Sequence, residues 1–396
     1  MPALAILIPV LGALSAFAPM SIDMYLPSTD HLVEVFATSS DRVQWTLSSF
    51  ILGYAIAHLF WGPVSDRFGR RPVLTVGITL YTVASLGCLL APTIEAMIVL
   101  RALQGLGAAA APLLARAVVR DLFDRERGAR ILSLMWMVMS AAPMLAPIIG
   151  GQLFKYLGWE SVFWVLTLFG AICLAMVVLA LGESLPRERR TGHNPVEMMA
   201  SYGELLIHRR FLGYSLCGSF LFAAMFAYIS STPFVFIGLY GVSEERYGFL
   251  FAIHVAVMMA GAFVNSRIVE RFGIDRLIRA GVLWAAATGL AVLFFAATGI
   301  GGVAGLLVPF AMMMAALPFV AANSVAGAMG DFPHLAGTAA ALNGMLTFAL
   351  GAIGSALVAP FLGGTALAMG VGIAGFGLAA ALTCFLVLRP RAALAA

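Results

Sequence analysis

Apolar stretches long enough to carry a helix across a bilayer, about 20 residues, recur along this chain. They lie at 4–27, 44–64, 73–91, 96–117, 128–151, 160–182, 211–235, 247–265, 280–298, 302–324, 336–358 and 363–388. Short polar segments rich in arginine, glycine and proline separate them. The pattern predicts an all-α membrane protein with twelve transmembrane helices. The polar segments test the count, because cytoplasmic loops collect Arg and Lys and successive loops must alternate sides. Arg67, Arg70 and Arg71 share one side with Arg116, Arg120, Arg125, Arg127 and Arg130, and with Arg187, Arg189, Arg190, Arg209 and Arg210. Arg267, Arg271, Arg276, Arg279, Arg389 and Arg391 complete that side, so it holds 19 of the 23 basic residues. Arg42, Lys155 and Arg246 fall opposite, and Arg101 lies inside a span. Both termini are then cytoplasmic.

Composition removes other classes. The chain has 396 residues, 62% apolar and 11% charged, with a mean hydropathy of +0.99, against about 25% charged residues in a soluble globule. The first apolar stretch lacks the basic start and small-residue cleavage site of a removable leader. A pI near 9.0 invites a nucleic-acid reading, but the arginines sit in short loops, as positive-inside topology requires, so no nucleic-acid partner is expected. Cys88, Cys173, Cys217 and Cys384 stand singly in apolar runs and read as packing residues.

The densest polar cluster, Gly62 to Leu74, reads as a tight charged turn. Gly62 admits a close neighbour, Pro63 and Pro72 bracket the turn, and Arg67, Arg70 and Arg71 mark the cytoplasmic face. Asp66-Arg67-Phe68-Gly69 is echoed by Glu270-Arg271-Phe272-Gly273, and Gly77 by Gly281, at an offset of 204 residues. A parallel repeat of two pseudo-symmetric six-helix bundles follows: 1–182 and 211–396, joined by a cytoplasmic linker at 183–210. Within the linker Pro186, Gly192, Asn194 and Pro195 favour loop, while Val196 to Ile207 suits a short helix on the membrane surface.

Gly62, Asp66, Arg67, Gly69, Arg70 and Arg71 fit the Gly-x-x-x-Asp-Arg-x-Gly-Arg-Arg signature, and with twelve spans the chain resembles the major facilitator superfamily over nearly its whole length. Asp23-Met24-Tyr25-Leu26-Pro27, Arg101-Ala102-Leu103-Gln104-Gly105, and Ala142-Pro143 through Pro147-Ile148-Ile149-Gly150-Gly151 resemble its drug:proton antiporters, in the bicyclomycin, chloramphenicol and florfenicol resistance branch. Ala146 departs from the glycine common before that proline, and Ile274-Asp275 replaces the paired arginines in the second copy. The resemblance implies the major facilitator fold, alternating access, and a hinge or seal at Pro143, Pro147, Gly150 and Gly151. It also implies gating by Asp66, with Gly62, Arg67, Arg70 and Arg71 around it, near Ala336 of span eleven. Glu270 would act likewise beside span five near Gly128.

Charged groups within hydrocarbon are costly and mark function, which singles out Asp23 and Arg101. Asp23 lies about 6 Å from Pro27 at the outer end of span one, and Arg101 about 7–8 Å into span four from the same side. One depth allows a pair or a shared cavity, with Asp23 carrying a proton. Tyr25 and Gln104 join them as cavity candidates, and Glu34 stands in the outer vestibule. The second half offers Phe220, Phe226, Tyr228, Ser231, Phe234, Asn323, Asn343 and Thr347, aromatic surface with scattered hydrogen-bonding groups that suits a weakly polar drug. His58 and His254 are intramembrane groups able to relay protons or simply to pack. No nucleotide-binding Gly-x-x-x-x-Gly-Lys motif, catalytic triad or metal-ligand spacing is present, so neither an enzyme nor a cofactor is expected. The expected function is proton-coupled antibiotic efflux across a bacterial inner membrane. Its partners are protons, an amphipathic drug and the lipid bilayer, and the chain acts as a monomer. Uptake of a metabolite and a non-transporting receptor or scaffold are the alternatives.

Overall fold

A computed structural model describes residues 4–123, 125–190, 195–332, 335–359 and 365–388. The expected basic tail, Arg389 and Arg391, and the linker residues Gly192 and Asn194 lie outside them. In chain order the helices are α1 (Leu4–Ser15), α2 (Phe17–Asp23), α3 (His31–Val35), α4 (Ser40–Phe68), α5 (Arg70–Leu89), α6 (Ile94–Leu122), α7 (Arg125–Leu157) and α8 (Glu160–Ala180). They continue as α9 (Pro195–Ile207), α10 (Arg209–Thr232), α11 (Glu244–Phe272), α12 (Ile274–Thr298), α13 (Gly302–Gly330), α14 (Ala336–Val358) and α15 (Leu367–Leu386). Among the described residues, eleven helices are long and apolar enough to cross a bilayer, and twelve if the bent pair α1 and α2 counts as one span. That pair bends by 43°; Pro19 brings no N–H to the Ser15 carbonyl, which ends the regular ladder there. The fold is that of a multi-pass membrane protein. As in other bilayer-spanning helices, prolines inside long elements are tolerated.

Two details of the expected turn are corrected. Pro63 lies within α4 and Pro72 within the first turn of α5, where a missing N–H leaves no bond unmade. The whole turn is Gly69, at φ +102°. Gly62 admits no close neighbour either, since a Cβ there would meet nothing within 4 Å. The second copy has the same helix–glycine–helix break at Gly273, φ +76°.

The chain forms two compact units, one of Met1–Thr38, Ser49–Asn194 and Ser243–Phe249, the other of Ser39–Ser48, Pro195–Val242 and Leu250–Ala396. In the first unit α5 packs along α6 and α8, around buried Phe17, Phe50, Tyr81 and Phe163. The start of α11 belongs to this unit: Lys155 pairs with Glu245 at 2.9 Å. In the second unit α10 packs along α13, α14 and α15, and α12 along α13 and α15. Here the start of α4 belongs: Gln44 Nε2 donates to Ser230 Oγ and to the Ser355 carbonyl, each at 2.7 Å, and Ser48 Oγ donates to Ser355 Oγ at 2.8 Å.

Candidate functional site

Arg101 is the largest fully buried side chain of the first unit, and its surroundings explain how a guanidinium is held in hydrocarbon. Nη1 donates to Gln104 Oε1 at 2.5 Å and Nη2 to the Ser21 carbonyl at 3.1 Å. The flat cation lies 4.6 Å from the ring centroids of both Tyr25 and Phe50 and 5.9 Å from that of Phe163. Water is replaced by aromatic faces, which hold a desolvated cation at about 2 kcal/mol or more. A second layer fixes the first. Gln104 Nε2 donates to Ser85 Oγ at 2.7 Å, and Ser85 Oγ donates to the Tyr81 carbonyl. Ser21 Oγ donates to the Phe17 carbonyl, which leaves it to accept from the Tyr81 hydroxyl at 2.8 Å. Nε of Arg101 is buried without a hydrogen-bond partner among the described residues.

Asp23 ends α2, two residues beyond Ser21, and is 5% exposed. Of the two arrangements that a shared depth allows, a pair or a common cavity, the pair is not formed among the described residues. Among the described residues the Asp23 carboxylate has no ion-pair or hydrogen-bond partner, while Arg101 turns to the Ser21 carbonyl, Gln104 and the rings. Equal depth along two helices fixes a layer but not the face each side chain takes. Tyr25 and Gln104, expected to line a cavity, are fully buried as the packing of Arg101. The sequence reading missed Ser21, Phe50, Tyr81, Ser85 and Phe163. A signal existed in Tyr81 and Ser85, polar groups one helical turn apart in an apolar run.

Outside the spans, Glu34 is a surface group 82% exposed, 3.7 Å from His31. Beside it, burial first, and then Glu34 and Glu244, push the Asp30 carboxyl up, against the pull of His31.

At the other end of the first unit the Arg70 guanidinium is buried and shared. It pairs with Asp66 at 2.5 Å and Asp121 at 2.9 Å, and donates to Ser65 Oγ at 2.6 Å. Glu183, just after α8, accepts from the backbone N–H of Arg70 at 2.9 Å and of Leu185 at 3.0 Å, and lies 3.6 Å from Arg190. An anion at the first turn of α5 meets the positive end of its dipole. Arg71 donates to the Val178 carbonyl and Arg67 lies over the Phe68 ring. Asp121, in the last turn of α6, and Glu183 are further members that the sequence analysis did not single out. In α7, a Cβ on Gly150 would overlap the Met24 carbonyl, and one on Gly151 would lie 2.7 Å from that of Glu244. Pro147 and Ile148 press equally close on Gly248, so the stretch from Pro147 to Gly151 is a close-packed crossing, and Pro143 lies one turn before it within α7.

The second unit gives its cavity candidates separate partners. Phe220 stacks on Phe376 and Phe226 packs on Phe222 and Phe348. Ser231 bonds the Ala227 carbonyl, and Asn323 donates to Asn265 and the Phe319 carbonyl. Thr347 bonds the Asn343 carbonyl and meets Ser219. Tyr228 meets His254, while Phe234 and Asn343 are buried. Glu270 is exposed, and Asp275, standing where the first copy has Arg71, accepts from the Tyr214 hydroxyl.

Comparison with known proteins agrees with this architecture. The model of the Major Facilitator Superfamily matches residues 11–356. The chain is 33% identical over 361 residues to a bicyclomycin resistance protein homolog of Haemophilus influenzae, covering 89% of each. It is 29% identical to a chloramphenicol resistance protein of Pseudomonas aeruginosa, over 90% of this chain and 84% of that one. The fold superposes on a partially occluded inward-open xylose transporter from E. coli with a TM-score of 0.74 at 14% identity, over 98% of both chains. The chain therefore belongs to the Major Facilitator Superfamily.

Proposed function

We propose that the chain is a drug:proton antiporter of a bacterial inner membrane, with both termini cytoplasmic, exporting an amphipathic, antibiotic-like compound by alternating access of its two halves. The observation that carries this reading is the Asp23 carboxyl, 5% exposed within a membrane span and without a partner among the described residues. A lone carboxylate there costs several kcal/mol, which a proton removes. An opening that brings water to Asp23 lets the proton leave, and an opening to the other side reloads it. Arg101, too tightly boxed to be the proton's counter-ion, holds the Ser21 carbonyl and so sets where Asp23 stands; it couples the carboxyl to Tyr25, Phe50 and Phe163. Resistance proteins among the relatives support a drug as cargo. The Asp66, Arg70, Asp121 cluster serves as the cytoplasmic gate, and α7 with its prolines and glycines as the seal.

The test is Asp23→Asn in everted membrane vesicles, with chloramphenicol as the exported probe. The substitution keeps size and polarity and removes the titratable proton. Proton-driven chloramphenicol movement is expected to vanish at unchanged membrane abundance; normal proton-driven movement refutes the assignment.

A further inference from the structure

The first unit holds a cation that this cycle leaves unused. We propose that Arg116 receives the head group of the exported compound, so that the cargo is an amphiphile with an anionic or acceptor-rich oxygen head rather than a lipophilic cation. The inference deepens the antiport reading above and rests on it.

Arg116 lies on α6, six residues before its end at Leu122, about 9 Å along the axis, and is half-buried. Its guanidinium forms no ion pair and no hydrogen bond among the described residues. Other arginines of this unit are committed: Arg70 to Asp66 and Asp121, Arg71 to the Val178 carbonyl, Arg190 to Glu183, and Arg101 inside its aromatic box. Arg116 instead lines a recess with Ser15 of α1, Pro112 of α6, and Leu132, Met135 and Met139 of α7. The recess measures about 10 Å³, room for one oxygen-sized group and not for a whole drug.

The plainer role, a cation reaching for water at a helix end, fits the position poorly. A helical side chain leans toward the N-terminus of its helix, so Arg116 leans back over Pro112, away from the near end of α6. Water is reached more cheaply from the last turn, where Arg120 stands exposed. Ser15, which shares the recess, is eleven residues beyond Leu4 on α1, about 16 Å along it, so the recess reaches well into the span. Half-exposed, the guanidinium keeps water while the site is empty. An oxygen head that replaces this water gains a charge-assisted bond in surroundings less polar than solution.

The field in the recess has one sign. Tyr54 and His58 of α4 are the titratable groups that feel Arg116, and neither is negative at neutral pH. α1 contains no Asp or Glu; α6 has Glu95 in its first turn and Asp121, which Arg70 holds. On α7 the acid is Glu126, six residues before Leu132, about 9 Å along the axis, and Asp23 stands eight residues beyond Ser15, past the α1–α2 bend. A cationic head entering the recess therefore meets a like charge with no acid among the lining residues. The body is treated differently. Leu132, Met135 and Met139 follow one face of α7, and unbranched thioethers re-pack around bodies of different shape. The site selects the head and tolerates the body.

The experiment is equilibrium binding to the full chain in lipid nanodiscs, corrected against empty discs, with three probes sharing one apolar body: phenylbutyrate, phenylbutanol and phenylbutylamine. Wild type is expected to bind the carboxylate more tightly than the alcohol, and the alcohol more tightly than the ammonium. Arg116→Gln should lower the carboxylate-to-alcohol affinity ratio by about tenfold to a hundredfold, the worth of one charged hydrogen bond. An equal ratio in the two proteins, or a wild type that prefers the ammonium, overturns the proposal. Should Arg116→Gln not fold, Arg116→Lys decides. It keeps the charge and loses the planar fork, so the ratio should fall severalfold; an unaltered ratio overturns the proposal. The antiport reading fails separately. Proton-driven chloramphenicol movement in wild type without any head-group preference sinks this inference alone, whereas head-group-selective binding with drug movement indifferent to the pH gradient sinks the antiport reading and leaves the head-group site standing.

Discussion

Adding one methyl at Gly105 should disturb both the stability and the activity of the first unit. α4 and α6 cross where each helix offers a glycine: a Cβ on Gly105 would overlap the Phe50 carbonyl oxygen, and one on Gly53 would overlap that of Ala102. The obstacle is backbone on both sides, so no side chain can turn away and the helices must part by about an ångström. Overpacking of this kind costs about 1–3 kcal/mol. The same movement draws Phe50 from its place 4.6 Å from the Arg101 cation, forfeiting part of a desolvated cation–π contact of about 2 kcal/mol. Gly105→Ala should therefore lose about 2–4 kcal/mol in all, seen as a lower unfolding temperature in detergent and a lower chloramphenicol tolerance of a pump-deficient host. Gly62→Ala is the control. Its Cβ meets nothing within 4 Å, so ordinary helix propensity applies and stability should rise by about 0.5–1 kcal/mol. Gly105→Ala indistinguishable from Gly62→Ala would refute the crossing as described.

Two further outcomes are expected. Arg101→Lys keeps the charge but cannot bridge Gln104 and the Ser21 carbonyl while lying flat between two rings; losing one charged hydrogen bond, about 1.5–3 kcal/mol, should weaken chloramphenicol transport at least about tenfold, and wild-type transport would count against the aromatic box. Glu183→Gln removes the anion at the first turn of α5, an effect of about 0.3–1 kcal/mol, and should speed hydrogen exchange of the Arg70 amide; an unchanged rate would show that the α8–α9 segment does not hold that turn.

The spans were legible because hydrocarbon thickness fixes their length. The repeat was legible too, through Asp66 to Gly69 and Glu270 to Gly273, and both copies break at a glycine. Pro63 and Pro72 misled as turn markers. A proline in a first turn forfeits no bond, and one inside a membrane helix is re-accommodated locally. Asp23 and Arg101 stood out as charges in apolar runs, yet rise along a helix says nothing of azimuth. Their separation, and the choice of Ser21, Gln104 and three rings by Arg101, depends on how α2, α4, α6 and α8 rotate against one another. Asp121 and Glu183 were invisible for a simpler reason, since a carboxylate near a loop needs no partner until the structure supplies Arg70.

The two short segments held by the unit opposite to their neighbours in sequence, Ser39–Ser48 and Ser243–Phe249, start 204 residues apart, at the offset of the internal repeat. This bears on synthesis. The first unit cannot be completed when its own run of helices has left the ribosome, because its last piece lies some 55 residues beyond position 194. At about 5–20 residues per second that is a wait of about 3–11 s. During that time the end of α7, with Lys155 and Gly151, stands without Glu245 and Glu244. The nascent first half thus lacks these contacts of α7 until the second half has begun to arrive.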